Sequence, residues 1–143
     1  MVLEEGIYQV LCQGGERILS IIPPASKGFP ILCVRKGRQE PTLLRVEPCG
    51  NNIYVLSPEH EPRMPGSLVI GDGYSYMPKL VPSGSDEANT NWAILPSGQD
   101  TYRIYLDWGD SMNWTAKDDG PIVLQDYEGK PTQEWIFKKV GGN

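Results

Sequence analysis

Apolar and polar residues alternate along this chain in short runs, and the same run recurs. A Gly is followed within a few residues by Tyr, with an apolar residue two further on. The phrase reads Gly6-Ile7-Tyr8-Gln9-Val10, then Gly50-Asn51-Asn52-Ile53-Tyr54-Val55-Leu56, then Gly98-Gln99-Asp100-Thr101-Tyr102-Arg103-Ile104. Its tyrosines lie 46 and 48 residues apart. A second phrase closes each unit: Leu44-Arg45-Val46-Glu47-Pro48, Trp92-Ala93-Ile94-Leu95-Pro96 and Trp135-Ile136-Phe137-Lys138-Lys139. Period-two alternation of this kind marks half-buried strands.

Between the two phrases each unit has room for two more short strands. These are expected at Arg17–Ile22 and Pro30–Arg35, then about Ser67–Ile70 and Tyr76–Val81, then Met112–Ala116 and Ile122–Asp126. Gly, Pro, Asn and Asp punctuate every junction, as turns require. Repeats of 40–50 residues with four strands each predict one all-β domain over residues 1–143. The pseudo-repeats fall at approximately 1–48, 49–96 and 97–143. Three such units fit a β-trefoil of twelve strands, a six-stranded barrel with a hairpin cap, because three propeller blades are too few to close a ring. The recurring Tyr residues, with Trp92 and Trp135, are read as packing residues of the barrel. Closure leaves no free sheet edge, so a monomer is expected.

Composition narrows the picture. Gly (16) and Pro (13) make up about a fifth of the chain, and Ala stands only at 25, 88, 93 and 116, so long helices are excluded. A net charge of −5 argues against a general nucleic-acid partner, which needs a basic face. No apolar run of membrane-spanning length is present. The first residues show neither the basic nor the apolar region of a signal peptide, so a cytoplasmic protein is expected. Cys12, Cys33 and Cys49 lack CxxC spacing; they are read as buried thiols, with no disulfide framework, no metal site and no cofactor.

Catalysis is not expected. His60, the single histidine, lies in the acidic stretch Pro58-Glu59-His60-Glu61-Pro62, and no Gly-x-Ser-x-Gly elbow presents a nucleophile. Asp72-Gly73, Asp107–Asp110 and Asp118-Asp119-Gly120 offer carboxylates, but hairpin turns use the same residues.

The opening Leu3-Glu4-Glu5-Gly6-Ile7-Tyr8-Gln9-Val10 and the closing Pro131–Val140 resemble the β-trefoil protease inhibitors of mushrooms. Val46–Leu56 and Trp92-Ala93-Ile94 are most similar to their fungal serine-protease inhibitor branch, which is related to the mycocypins. The resemblance implies a defensive or regulatory inhibitor whose loops, not its scaffold, carry the activity.

A trypsin-like serine protease would be met by an exposed Lys or Arg on a loop already held extended. Ile22-Pro23-Pro24-Ala25-Ser26-Lys27-Gly28-Phe29-Pro30 meets that demand, with prolines restricting the backbone at both ends. Lys27 would enter the specificity pocket, flanked by Ala25, Ser26, Gly28 and Phe29. Arg63 with Met64, in Glu61-Pro62-Arg63-Met64-Pro65, ranks second. Arg35-Lys36-Gly37-Arg38 is read as a tight turn, and Lys117 and Lys130 as solubility charges. Papain-like cysteine proteases are a further partner, through the Gly14-Gly15 loop. The alternative is a lectin: Gln133-Glu134-Trp135 matches the Gln-x-Trp phrase of galactose-binding trefoils once, Thr90-Asn91-Trp92 nearly, and Thr42-Leu43-Leu44 does not. Trp108 and Trp114, amid Asp107, Asp110 and Asn113, are then the candidate sugar platforms.

Overall fold

The computed structural model describes residues 3–60, 66–73, 75–84, 86, 88–106, 112–117 and 119–141. Its barrel strands are β1 (Gly6–Cys12), β4 (Leu44–Gly50), β5 (Ile53–Pro58), β8 (Trp92–Pro96), β9 (Tyr102–Leu106) and β13 (Trp135–Gly141). Each pairs antiparallel with the next around a ring, β1 with β4, β4 with β5, β5 with β8, β8 with β9, β9 with β13, and β13 back to β1. The hairpins that cap the ring are β2 (Arg17–Ser20) with β3 (Leu32–Arg35), β6 (Leu68–Gly71) with β7 (Lys79–Pro82), and β10 (Asn113–Thr115) with β12 (Val123–Gln125). A closed six-stranded barrel with three cap hairpins is a β-trefoil.

A thirteenth strand, β11 (Gly120–Pro121), pairs with β3 and ties the third unit to the first. Two residues with no alternation to read gave no sign of it. The expected Tyr76–Val81 strand begins only at Lys79, because Tyr76 takes φ +59° and Pro78 has no N–H to give a ladder.

Register explains the alternation. Tyr8 faces Leu44, Val46 faces Leu56, Tyr54 faces Trp92 and Ile94 faces Ile104, all pointing into the barrel. Trp92, Trp114 and Trp135 are fully buried. Trp114 stands edge-to-face between the other two, with ring centroids 5.4 and 5.8 Å apart. Such pairs add about 1 kcal/mol each to the area they bury. Trp92 Nε1 donates to the Ile70 carbonyl and Trp135 Nε1 to the Trp114 carbonyl, 2.9 and 3.1 Å. Trp114 Nε1 is buried with no partner. Gly71 is required where it stands: a Cβ there would come 2.9 Å from the Asn89 carbonyl oxygen.

Candidate functional site

The segment proposed for protease contact takes a form different from the expected extended one. The Phe29 N–H donates to the Ser26 carbonyl at 3.1 Å, and Gly28 has φ +88°, so Ser26-Lys27-Gly28-Phe29 is a tight turn with Gly at the position that needs positive φ. The physical reason lies on either side. Gly28 N–H donates to the Leu80 carbonyl (2.8 Å), Leu80 N–H donates to the Phe29 carbonyl (2.9 Å), and Ala25 and Phe29 pack on the core. The Gly28–Phe29 end is thus held to β7 and the Ala25 end to the core, and the chain between them bends. Lys27 is exposed at the tip of that turn.

The Gly14-Gly15 turn is also tightly bent. Gln13, Gly14 and Gly15 have φ of +53°, +68° and +97°, closed by Glu16 N–H to the Gln13 carbonyl. Arg63 and Met64 lie outside the described residues, as do Trp108, Asp107, Asp110 and Asp118. His60 is exposed and lines a groove of about 390 Å³ with Glu59, Ile21 and Pro23. Lys117 is exposed, and Lys130 is paired with Glu128 at 2.6 Å.

Trp114 is corrected: it is fully buried as the centre of the tryptophan stack and offers no face to a sugar. Cys49 is likewise corrected, being exposed, whereas Cys12 and Cys33 are buried. Hydrogen bonding with Cys33, and then burial, push the Cys12 thiol far above its ordinary range, and Cys12 Sγ donates to the Pro131 carbonyl (3.4 Å). A protonated thiol is a poor ligand and nucleophile. Among the described residues no group of three or more His, Cys, Asp or Glu could hold a metal ion.

The Gln-x-Trp phrase proves to be internal. Gln133 is 1% exposed. Its Nε2 donates to Thr115 Oγ1 (3.1 Å) and to the Asp126 carbonyl (2.7 Å), and its Oε1 accepts from Glu128 N–H (2.7 Å). Gln133 therefore braces the 126–128 loop from behind. Thr42, also two residues before its unit's closing strand, does the same for another loop, its Oγ1 accepting from Ile21 N–H at 2.7 Å.

In front of the loop braced by Gln133 lies a groove of about 410 Å³ lined by Tyr76, Met112, Leu124, Gln125, Asp126 and Glu128. Tyr76 comes from the second unit's cap hairpin and the rest from the third. At 55% exposure Tyr76 is among the few large apolar side chains left open to solvent. Its backbone is fixed on both sides: its carbonyl accepts Leu124 N–H (2.8 Å), while Asp72, 1% exposed, accepts from Ser75 N–H and Oγ. The sequence reading missed Tyr76 by placing it inside a strand, where alternate residues are buried. The local clue was Pro78, which cuts the run.

No protein-family model matches this sequence, and no curated protein matches it. Solved structures do match its fold. The designed three-fold symmetric protein ThreeFoil aligns with TM-score 0.71 and 17% identity, over 95% of this chain and 100% of that one. SeviL, solved bound to asialo-GM1 saccharide, gives 0.69 and 10% over 96% and 99%. A mosquitocidal holotoxin gives 0.78 and 15% over 97% of this chain, which spans 18% of that protein. This chain is similar to them in fold, a β-trefoil.

Proposed function

We propose that this β-trefoil is a carbohydrate-binding protein and that the Tyr76 groove is its sugar site. The observation that carries the reading is the exposed ring of Tyr76 beside Gln125, Asp126 and Glu128. A pyranose ring has an apolar face of C–H groups, which packs on an aromatic ring, and an edge of hydroxyls, which needs donors and acceptors in fixed places. The groove supplies both, on a backbone already immobilised, so little ordering is lost on binding. That SeviL was solved with a saccharide lends further support. In this reading the protein binds its ligand without turning it over.

A glycan array tests the reading, followed by titration of the best ligand into wild type and Tyr76→Ala. Loss of the ring is expected to weaken binding at least tenfold, roughly 1.4 kcal/mol. A silent array, or unchanged affinity in a folded Tyr76→Ala protein, would refute it.

Inhibition of a trypsin-like protease through Lys27 is the second reading. It is favoured by the exposure of Lys27 on a turn whose flanks are pinned to β7 and the core. Titrating trypsin with the protein separates the two readings. A stoichiometric endpoint that disappears in Lys27→Ala would support the inhibitor, and full trypsin activity would remove it.

A further inference from the structure

We propose that the two grooves on either side of Lys36 form a binding site for a sulfated polysaccharide, distinct from the Tyr76 groove. One groove, about 520 Å³, is lined by Gln9, Ile18, Lys36, Arg38 and Gln39 among others. The other, about 550 Å³, is lined by Gln13, Glu16, Arg17, Arg35 and Lys36. Lys36 lines both, so the two grooves adjoin and together make a channel with Lys36 at its middle.

The cations along this channel are held in two ways. Asp119 clamps a pair of guanidinium groups: its Oδ1 accepts from Arg17 (3.0 Å) and from the Arg35 backbone N–H (3.0 Å), and its Oδ2 lies 3.3 Å from Arg35 Nε. The Arg35 side chain is 64% exposed, so its guanidinium N–H groups not engaged by Asp119 are open to a ligand's oxygens, while Arg17, at 14%, adds its charge from beneath. Lys36 and Arg38 are presented by a turn, closed by Arg38 N–H to the Arg35 carbonyl (3.2 Å) with Gly37 at φ +89°. Both are exposed and have no acidic partner among the described residues. Lys138, exposed on β13, sits directly across from Gln9 and adds a fifth cation beside the channel.

Against these five stand Asp119, Glu16 and Glu40, so the channel is locally positive on a chain of net charge −5. Gln9, Gln13 and Gln39 line it with neutral amide donors. Charged and amide donors spaced along a channel suit an extended chain bearing sulfate groups at intervals. Single-stranded nucleic acid, the other common polyanion, is held largely by stacking its bases on aromatic side chains, and among the described residues no aromatic lines either groove. The local charge is thus opposite in sign to that of the Tyr76 groove, where Asp126 and Glu128 stand.

The experiment is retention of the full chain on immobilised dextran sulfate, with unsulfated dextran and single-stranded poly(U) alongside, at low and raised salt. Wild type is expected to bind dextran sulfate, to release as salt rises, and to ignore unsulfated dextran. Lys36→Glu/Arg38→Glu is expected to lose at least tenfold in affinity. Lys27→Glu/Lys79→Glu, which changes the net charge equally outside both grooves, is expected to keep it. Acylation of lysines in wild type gives a second readout, since dextran sulfate should protect Lys36 and leave Lys27 reactive. Failure to bind, equal loss in both double variants, or an unprotected Lys36 would overturn the site. Equal or tighter binding of poly(U) would overturn the assignment to a polysaccharide. None of these outcomes bears on the Tyr76 groove.

Discussion

Gln133 is the residue through which scaffold and site are joined, and its replacement by leucine measures that coupling. The side chain makes three hydrogen bonds of 3.1, 2.7 and 2.7 Å while 1% exposed. Leucine has a similar bulk, so no large cavity opens and the polar loss dominates. Three bonds at about 1 kcal/mol each give about 3 kcal/mol, with more if Asp126 C=O or Glu128 N–H stays dry. For a chain of this size that is a drop in Tm of about 10 °C, or a fall in the urea midpoint of about 1.5 M at a slope near 2 kcal/mol/M. Urea unfolding followed by tryptophan fluorescence reads it directly. The same variant is expected to weaken glycan binding beyond what its stability explains, because Asp126 and Glu128 form the groove wall. A loss below about 1 kcal/mol would refute the view that Gln133 is the brace.

The tryptophan stack gives a ranking. Trp135→Phe strands the Trp114 carbonyl and Trp92→Phe the Ile70 carbonyl, whereas Trp114→Phe removes an N–H that has no partner. Thermal melts should therefore place Trp114→Phe about 2 kcal/mol above the other two; equal losses would contradict the hydrogen-bond assignment. Alkaline pH gives a further prediction. Burial raises Tyr8 and Tyr54 above the usual tyrosine value, and their hydroxyls donate to the Glu4 and Leu3 carbonyls. The folded state thus holds these protons more tightly than the unfolded state. The resulting stability is full below about pH 10 and is lost as the pH rises through the folded values. Urea midpoints measured from pH 8 to 11 should fall above pH 10, and less steeply in Tyr8→Phe/Tyr54→Phe.

The division between sequence and structure follows the range of the forces involved. Strands were legible because alternation is local: a residue at i and its neighbour at i+2 share a face whatever the rest of the chain does. The three-fold repetition was legible because Tyr8, Tyr54 and Tyr102, and Leu44, Trp92 and Trp135, recur at nearly constant spacing. From those two facts the β-trefoil follows, since each unit must bury its apolar face against the other two.

The sites were not legible to the same degree. Lys27 was identified as exposed, and it is, but the turn beneath it depends on Leu80, more than fifty residues away. Trp114 and Tyr76 exchanged the roles their types suggest. Trp114 went to the centre of the core, and Tyr76 was left on the surface by a positive φ and a bond to Leu124. Asp119, a turn residue in the sequence, became the clamp between Arg17 and Arg35. Taken alone, then, the sequence determined the periodicity, the number of units and the identity of the barrel core. Only the tertiary structure decided which loops meet, because a groove formed by residues about fifty positions apart has no signature in the local pattern of either loop.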